Sequence, residues 1–310
     1  MPKISFVVIN RNNQKYINRC IKSINNINYP RKKIIVVDDY STDESVQKLK
    51  YKIDILIRNK NQKGIAFSRN KGIKKSRGDL IFIIDSDIQI IKIELNKIIE
   101  YFLNNIKLIA ISGNYYSSIN TNWNSVLDLR RKSLFHKNNQ TFFYNLKKNY
   151  TTFSGGFCCL HRKRLKETSQ NGELKTGGED LYFQLSMLNQ GWQFGYVAEF
   201  RGKHLHKREL FNTFKKVNSE AKGDAWLIFE AFQHNLNLPI FEPIYSIPIF
   251  LIFGLVFMNP ILILIEISPC LILIAKQRNQ LSIKLFIYEM VLSILRFVYI
   301  LSKLISRQSI

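Results

Sequence analysis

The sequence predicts an α/β domain built on a mainly parallel sheet with helices on both faces. Two observations carry that expectation. From residue 4 to residue 112, β-rich runs alternate with stretches of helical periodicity, the pattern of repeated strand–helix units. Runs such as Ile34-Ile35-Val36-Val37 and Leu80-Ile81-Phe82-Ile83-Ile84 are continuously apolar, as strands covered on both faces are. A third observation concerns ligands. Three of the runs lead into polar or acidic residues: Asn10-Arg11, Asp38-Asp39 and Asp85-Ser86-Asp87. Open α/β sheets take their ligands at the carboxyl ends of the strands.

Taken in order, Ile4 to Ile9 reads as a buried strand. It is too short for the apolar core of a signal peptide and runs into polar Asn10-Arg11-Asn12-Asn13. Tyr16, Cys20, Ile21, Ile24 and Ile27 recur at helical spacing. Residues 34–37 form the second strand, after which Ser41 or Thr42 can cap a short helix starting near Asp43. Asp54 to Ile57 is a third strand, and Ile65 to Ser76 a helix ended by Gly78. Residues 80–84 give a fourth strand, followed by a helix over Lys92 to Asn104 and a strand over Leu108 to Ser112. The stretch from Asn114 to Tyr150 is irregular, aromatic and polar. A Gly-rich turn at Ser154-Gly155-Gly156 then precedes a strand, Phe157 to His161. Gly177-Gly178-Glu179-Asp180 opens a helix, Phe194 to Val197 reads as a strand, and Arg208 to Phe232 as a helix.

Near Pro239 the composition changes, dividing a domain of residues 1–240 from a hydrophobic tail of residues 241–310. Ile247 to Ile265 is almost wholly apolar, and as a helix rising ~1.5 Å per residue it nearly spans a bilayer core. Pro248 and Pro260 complicate a straight span. In the second apolar helix, Leu281 to Ile305, Ser282, Glu289, Arg296 and Lys303 fall seven apart on one stripe, which suits a helix lying in the interface or facing protein.

Hydrophobic residues at 46% and charged residues at 22% exclude wholesale disorder and a collagen-like chain. The net charge is unusual: 46 Lys+Arg against 23 Asp+Glu give +23. Only six Lys/Arg and three Asp/Glu lie in residues 241–310, so +20 belongs to residues 1–240. An excess of that size suits an anionic partner, and a Lys-, Asn- and Ile-heavy composition bias is the competing origin. Acids gathered at strand ends would repel nucleic-acid phosphates, so no nucleic-acid partner is expected. Lys203, Lys207, Arg208, Lys215 and Lys216, close to the tail, suit an anionic membrane surface. Cys20, Cys158, Cys159 and Cys270 have neither zinc spacing nor a disulfide pattern and fit a reducing compartment.

Several motifs can carry chemistry. Asp85-Ser86-Asp87 puts two carboxylates one residue apart at a strand end, where they can hold Mg²⁺ or Mn²⁺ against a diphosphate; the same Asp-x-Asp is also an ordinary loop sequence. A carboxylate of Asp38-Asp39 can accept from a base N–H or a ribose hydroxyl, while Ser41, Thr42 and Asp43 are equally good helix caps. Gly64 to Gly72 reads as a tight turn opening a helix with Arg69 and Asn70 projecting, either toward a diphosphate or as part of a solvated basic face. Glu179 and Asp180 at a helix start can complement the macrodipole, and a carboxylate over a cleft can take a proton from a hydroxyl. His204 and His206 can bind metal or phosphate, or simply lie in a basic surface segment.

Together these motifs resemble glycosyltransferase family 2, inverting enzymes with the GT-A fold, over roughly residues 3 to 206. The resemblance rests on four matches in order. They are Val37-Asp38-Asp39-x-Ser41-x-Asp43; Gly64 through Ser68-Arg69-Asn70-x-Gly72; Gly78-Asp79 with a strand into Asp85-x-Asp87; and Gly178-Glu179-Asp180 with a histidine 24 residues beyond. It implies a GT-A-like fold and an enzyme moving a sugar from a nucleotide-diphosphate donor, a UDP-sugar by preference, to a hydroxyl of a glycan or lipid-linked precursor. Asn10, Arg11, Asp38 and Asp39 would line the base and ribose pocket, with Arg69 supporting the diphosphate. Asp85 would lie near the ribose or metal, and Asp87 with His204 would bind a divalent cation, Mn²⁺ or Mg²⁺. Asp180, beside Glu179, would be the general base. Gln190-Gly191-Trp192 stands where processive members carry Gln-x-x-Arg-Trp, so single-sugar transfer is expected. The expected place of work is the cytoplasmic face of a membrane, attached through the tail. The alternatives are a nucleotidyltransferase acting on sugar phosphates, for which no Gly-rich N-terminal phosphate loop is present, and a basic nucleic-acid-binding protein.

Overall fold

The computed structural model describes residues 1–117, 140–145, 153–166 and 179–206, together with residue 295. Met1–Ile119 and Leu134–His206 form one compact unit. The tail apart from residue 295, the boundary at residue 240 and the helix expected over Arg208 to Phe232 lie outside the described residues.

The strands are β1 (Ile4–Asn10), β2 (Lys32–Asp38), β3 (Ile55–Arg58), β4 (Leu80–Asp85), β5 (Ile88–Ile93), β6 (Leu108–Ser117), β7 (Phe142–Tyr144), β8 (Phe157–His161) and β9 (Gln193–His204). The helices are α1 (Ile17–Asn25), α2 (Ile65–Lys75), α3 (Leu95–Asn104), α4 (Arg162–Lys166) and α5 (Glu179–Asn189). The sheet order is β3-β2-β1-β4-β8-β6-β9-β5, with β7 paired to β9. Parallel pairing joins β3 to β2, β2 to β1, β1 to β4 and β6 to β9. The pairs β4–β8, β6–β8, β5–β9 and β7–β9 are antiparallel. The sheet is therefore mixed: parallel through its first four strands, where the strand–helix alternation was read, and mostly antiparallel beyond.

The continuous apolar runs have a direct cause. Successive residues of a strand face opposite sides of the sheet. Phe6, Val8, Val36, Phe82 and Ile84 join one core cluster with Ile17, Cys20, Ile21 and Ile24 of α1. Their neighbours Val7, Ile9, Ile35, Val37, Ile81 and Ile83 join a second cluster with Ala66 of α2 and Phe183 and Met187 of α5. Both faces are covered, so neither can be polar.

Two local expectations fail. The helix expected from Lys92 starts at Leu95, and Ile88–Ile93, of which residues 88–91 carry no sequence assignment, form a strand that pairs antiparallel with β9. No helix starts at Asp43. Its carboxylate does cap, accepting from the Ser45 N–H at 3.0 Å, but it is also held by the Gln14 N–H at 2.9 Å, and the segment continues only as a turn. Among the described residues no helix is long and apolar enough to cross a membrane.

Candidate functional site

Register lines up the candidate residues. Asn10 pairs with Asp38 across β1 and β2, and Ile9 pairs with Asp85 across β1 and β4. All three polar positions therefore fall at the carboxyl edge of the parallel strands.

At the β1–β2 end the side chains bond one another, while Asn10 Oδ1 stays buried without a partner. Asn10 is fully buried, and its Nδ2 donates to Asp38 Oδ1 at 2.8 Å and to the hydroxyls of Ser45 and Ser41 at 2.9 and 3.2 Å. Asp38, also fully buried, further accepts from the Ser41 hydroxyl and backbone N–H, and Arg58 Nε stands 3.6 Å from Oδ2. Asp39 accepts from Asn59 Nδ2 at 2.8 Å and from the N–H groups of Lys63 and Gly64 at 2.9 Å each. Burial alone would push the Asp39 carboxyl up. The bonds from Lys63, Asn59, Gly64 and Ser68 outweigh it and hold the group below the usual carboxylate range. Arg11 remains exposed and donates from Nη2 to Gln62 Oε1 at 2.6 Å.

Some 30 residues on in sequence, Arg69 gathers a second group. Its guanidinium is almost wholly buried in α2. Nη1 donates to Asp180 Oδ1 at 2.7 Å and to Glu179 Oε1 at 3.3 Å, and Nη2 to Asp85 Oδ1 at 3.4 Å. Asp180 Oδ2 also accepts the Gly155 N–H at 2.9 Å. Three carboxylates thus share one cation. Burial opposes charge on Arg69, but the carboxylates of Asp180, Asp85 and Glu179 more than offset this and keep it protonated. Burial raises Glu179 to about 7, with the Asp180 carboxylate adding to the push and Arg69 opposing it. Burial likewise raises Asp85 to about 6 despite Arg69, with Asp87 and Asp180 contributing.

Asp87 lies elsewhere. Its Oδ2 is 3.2 Å from His204 Nε2, because β5 starts beside the end of β9 and pairs Ile88 with His204. The Asp87 carbonyl accepts the Leu205 N–H at 2.8 Å, and the His204 ring stacks on Tyr115 with centroids 6.1 Å apart. His206 packs near Tyr16, at 5.9 Å. Asp85, expected near the ribose or metal, has Oδ1 engaged by Arg69, and among the described residues no group of three His, Cys, Asp or Glu side chains is gathered as a metal set. The Asp87–His204 pair does fit a cation. Two cis donors on an octahedral ion at about 2.1 Å lie roughly 3 Å apart.

Sequence reading missed two residues. Gly155 and Gly156 were read only as a turn. Neither has a positive φ, so space is what they supply. A Cβ on Gly155 would lie 2.0 Å from Asp180 Oδ1, and one on Gly156 2.1 Å from Asp85 Oδ2. Both do sit in a turn, closed by the Phe157 N–H donating to the Ser154 carbonyl at 3.3 Å; what the turn alone does not show is how closely it approaches the two carboxylates. Of the aromatics in the Asn114 to Tyr150 stretch, Tyr144 is buried, and Phe142 and Phe143 pack against the two clusters. A cleft of about 900 Å³ between α1, β5 and the start of α3 includes none of the site residues.

A mixed α/β sheet carrying an acidic, arginine-centred site at its parallel strand ends defines a transferase-like α/β enzyme. Residues 5–168, more than half of the chain, match Glycosyl transferase family 2, and the chain belongs to that family. Its fold is the GT-A fold of the solved structures it superposes on. An uncharacterized glycosyltransferase of Haemophilus influenzae is 36% identical over 120 residues, 37% of this chain and 48% of the relative. The poly(ribitol-phosphate) beta-N-acetylglucosaminyltransferase TarS of Staphylococcus aureus is 31% identical over 94 residues, 28% of this chain and 16% of the relative. The chain thus matches about half or less of these relatives' lengths. Among solved structures, S. aureus TarS in complex with UDP-GlcNAc superposes with TM-score 0.56 at 18% identity, over 76% of this chain and 68% of that one. The mannosyltransferase PcManGT of Pyrobaculum calidifontis, in complex with GDP-Man and Mn²⁺, superposes with TM-score 0.62 at 14% identity, over 97% of this chain and 87% of that one.

Proposed function

We propose that the protein is an inverting glycosyltransferase that moves one sugar from a nucleotide-diphosphate donor to a hydroxyl of a glycan or lipid-linked precursor. The observation that carries this reading is the placement of Asp180. Its carboxylate is oriented by Arg69 and the Gly155 N–H, yet its side chain stays 32% exposed, so an acceptor hydroxyl can reach it. A base fixed in direction and open to substrate is what deprotonation of a hydroxyl requires. Asp180 takes the hydroxyl proton as the oxygen bonds to the anomeric carbon. The bond to the diphosphate breaks on the opposite face, and the configuration inverts. The UDP-GlcNAc bound to S. aureus TarS and the GDP-Man bound to PcManGT support a nucleotide-sugar donor.

Asp87 and His204 are the residues that would hold a divalent cation, Mn²⁺ or Mg²⁺, which when bound neutralises the charge on the departing diphosphate. Arg69, reaching Asp85 as well as Asp180, ties the base to the end of β4. The test is a hydrolysis and transfer screen of UDP- and GDP-sugars with each metal. Asp180→Asn should lower transfer by about 10²- to 10⁴-fold while the protein stays folded. Asp87→Asn should lose metal dependence. Full activity in both variants would sink the assignment.

The apolar segments of residues 241–310 and the basic charge of residues 1–240 support work at the cytoplasmic face of a membrane, attached through the tail. Full-length protein should stay with membranes on carbonate extraction; its release would argue against insertion.

A further inference from the structure

We propose that the outer side of α2, with the loop before it and the adjoining edge of β3, lies against an anionic bilayer. This rests on the membrane-face reading above, but on the folded unit's own surface and not on the tail.

Charge marks the region first. Residues 55–78 hold eight Lys/Arg and no Asp or Glu. Two of the eight are used inside the protein: Arg69 is buried among carboxylates, and Arg58 Nε stands 3.6 Å from Asp38 Oδ2. The other six, Lys60, Lys63, Lys71, Lys74, Lys75 and Arg77, follow one another along the loop, α2 and the turn after it, and all but Lys71 are exposed. A surface of one sign draws anions.

Apolar exposure marks the same region. Four of the ten large apolar side chains exposed among the described residues, Ile55, Leu56, Ile65 and Phe67, fall between positions 55 and 67, so the exposure is local and not scattered. The helix accounts for Phe67. Ala66, Ser68, Arg69 and Gly72 are the buried residues of α2, while Phe67, Lys71 and Lys74 stand four and three apart and share its outer side. Phe67 is 44% exposed there, with Lys63 Nζ and Lys71 Nζ each 6.0 Å from the centre of its ring. Ile55 faces the same way: Ile57 packs into the cluster that α2 covers, and residues two apart in a strand share a side.

A ring between two ammonium groups suits a headgroup layer. There the ring enters the acyl boundary while the lysines reach back to phosphate. A second copy of the chain would instead bring the same positive charge against itself. The contact also suits the site. α2 begins at the carboxyl edge of the sheet, where the Gly64 N–H donates to Asp39, and it carries Arg69 on its inner side. A helix is about 10 Å across, so headgroups on its outer side lie one helix away from Arg69 and its carboxylates. A sugar on a lipid-linked acceptor works at that range.

The test is lysine acetylation of the full-length protein in bilayer nanodiscs, of phosphatidylcholine alone or with phosphatidylglycerol added, read by mass spectrometry. Lys60, Lys63 and Lys75 should react about fivefold more slowly when phosphatidylglycerol is present, and high salt should restore their rates. Lys22, on α1 and the other face of the sheet, should react alike in both. Phe67→Ser, at an exposed position, should remove most of the slowing. Equal rates in the two bilayers overturn the proposal, as do unaltered slowing in Phe67→Ser and slowing confined to Lys203 and Lys207. Slowing that appears without lipid and rises with protein concentration assigns the face to a second copy and likewise overturns it. If the protein enters neither kind of nanodisc, the tail reading fails. Added to preformed phosphatidylglycerol vesicles, that protein should still show slow Lys60, Lys63 and Lys75, and normal rates there overturn the proposal as well.

Discussion

The two acidic groups at the strand ends are balanced in opposite ways. Around Asp38 and Asp39, each carboxylate is met by several donors, mostly neutral: serine hydroxyls, asparagine amides and backbone N–H groups. Around Arg69, three carboxylates compete for one guanidinium whose Nε has no acceptor. The first group is a hydrogen-bonded lattice that ties two loops together and leaves one acceptor, Asn10 Oδ1, without a partner. The second carries more negative charge than its cation neutralises and leaves Asp180 within reach of solvent. Buried carboxylates of the first kind stabilise a fold. Those of the second kind are poised to exchange protons.

The contrast breaks most sharply at Gly155. Gly155→Ala would drive a methyl group to 2.0 Å from Asp180 Oδ1 and 2.9 Å from Arg69 Nη1. Displacing the base by about an ångström should reduce sugar transfer by roughly 100-fold, with nucleotide affinity changed far less. Separate kcat and Kd measurements check this. Transfer at the parental rate would show that Asp180 need not be held where it is. At the lattice the expected effect falls on stability. Asp39→Ala strands the Lys63 and Gly64 N–H groups and leaves Asn59 Nδ2 only its bond to Ser68 Oγ, which should destabilise by about 3 kcal/mol in denaturant unfolding. A loss under about 0.5 kcal/mol would mean that water replaces the carboxylate and that the lattice is not structural.

Much of this was legible in the sequence. The runs 4–9, 34–37 and 80–84 could only be two-sided strands, and parallel strands leave their following residues on one edge. Asn10, Asp38 and Asp85 followed from that alone. β5 was not legible. Ile88 to Ile93 has six residues, of which Ile91 and Lys92 are exposed, and it is a strand because β9 runs alongside it from more than 100 residues away. The Arg69 centre was half legible: every member was named, but the ties between Arg69 and residues 179 and 180 span 110 and 111 positions, and no local pattern encodes them. The lattice itself was hidden for a similar reason. Asp38 and Asp39 read as open to ligand because the hydroxyls and amides that occupy them come from positions up to 28 residues away.

The finest distinction between the two groups is the direction in which pH moves them. Asp39 sits below its ordinary 3.8 in the folded protein, so the native state binds its proton less tightly than the unfolded chain. Its contribution to stability is present above that value and disappears as pH falls through the lower folded one. Glu179 is raised from 4.5 to about 7, so the native state holds this proton more tightly. Its contribution is complete below 4.5 and is lost as pH rises toward 7. Asp85, raised to about 6, adds to the same slope. Glu179→Gln replaces the protonated acid with a neutral group of the same shape. The variant should match the parent in Tm at pH 4.5 and exceed it at pH 8, the gap opening between those values. A gap that stays constant from pH 4.5 to 8 would mean that Glu179 is ionised throughout, and that Arg69 balances its carboxylates as fully as the lattice balances Asp39.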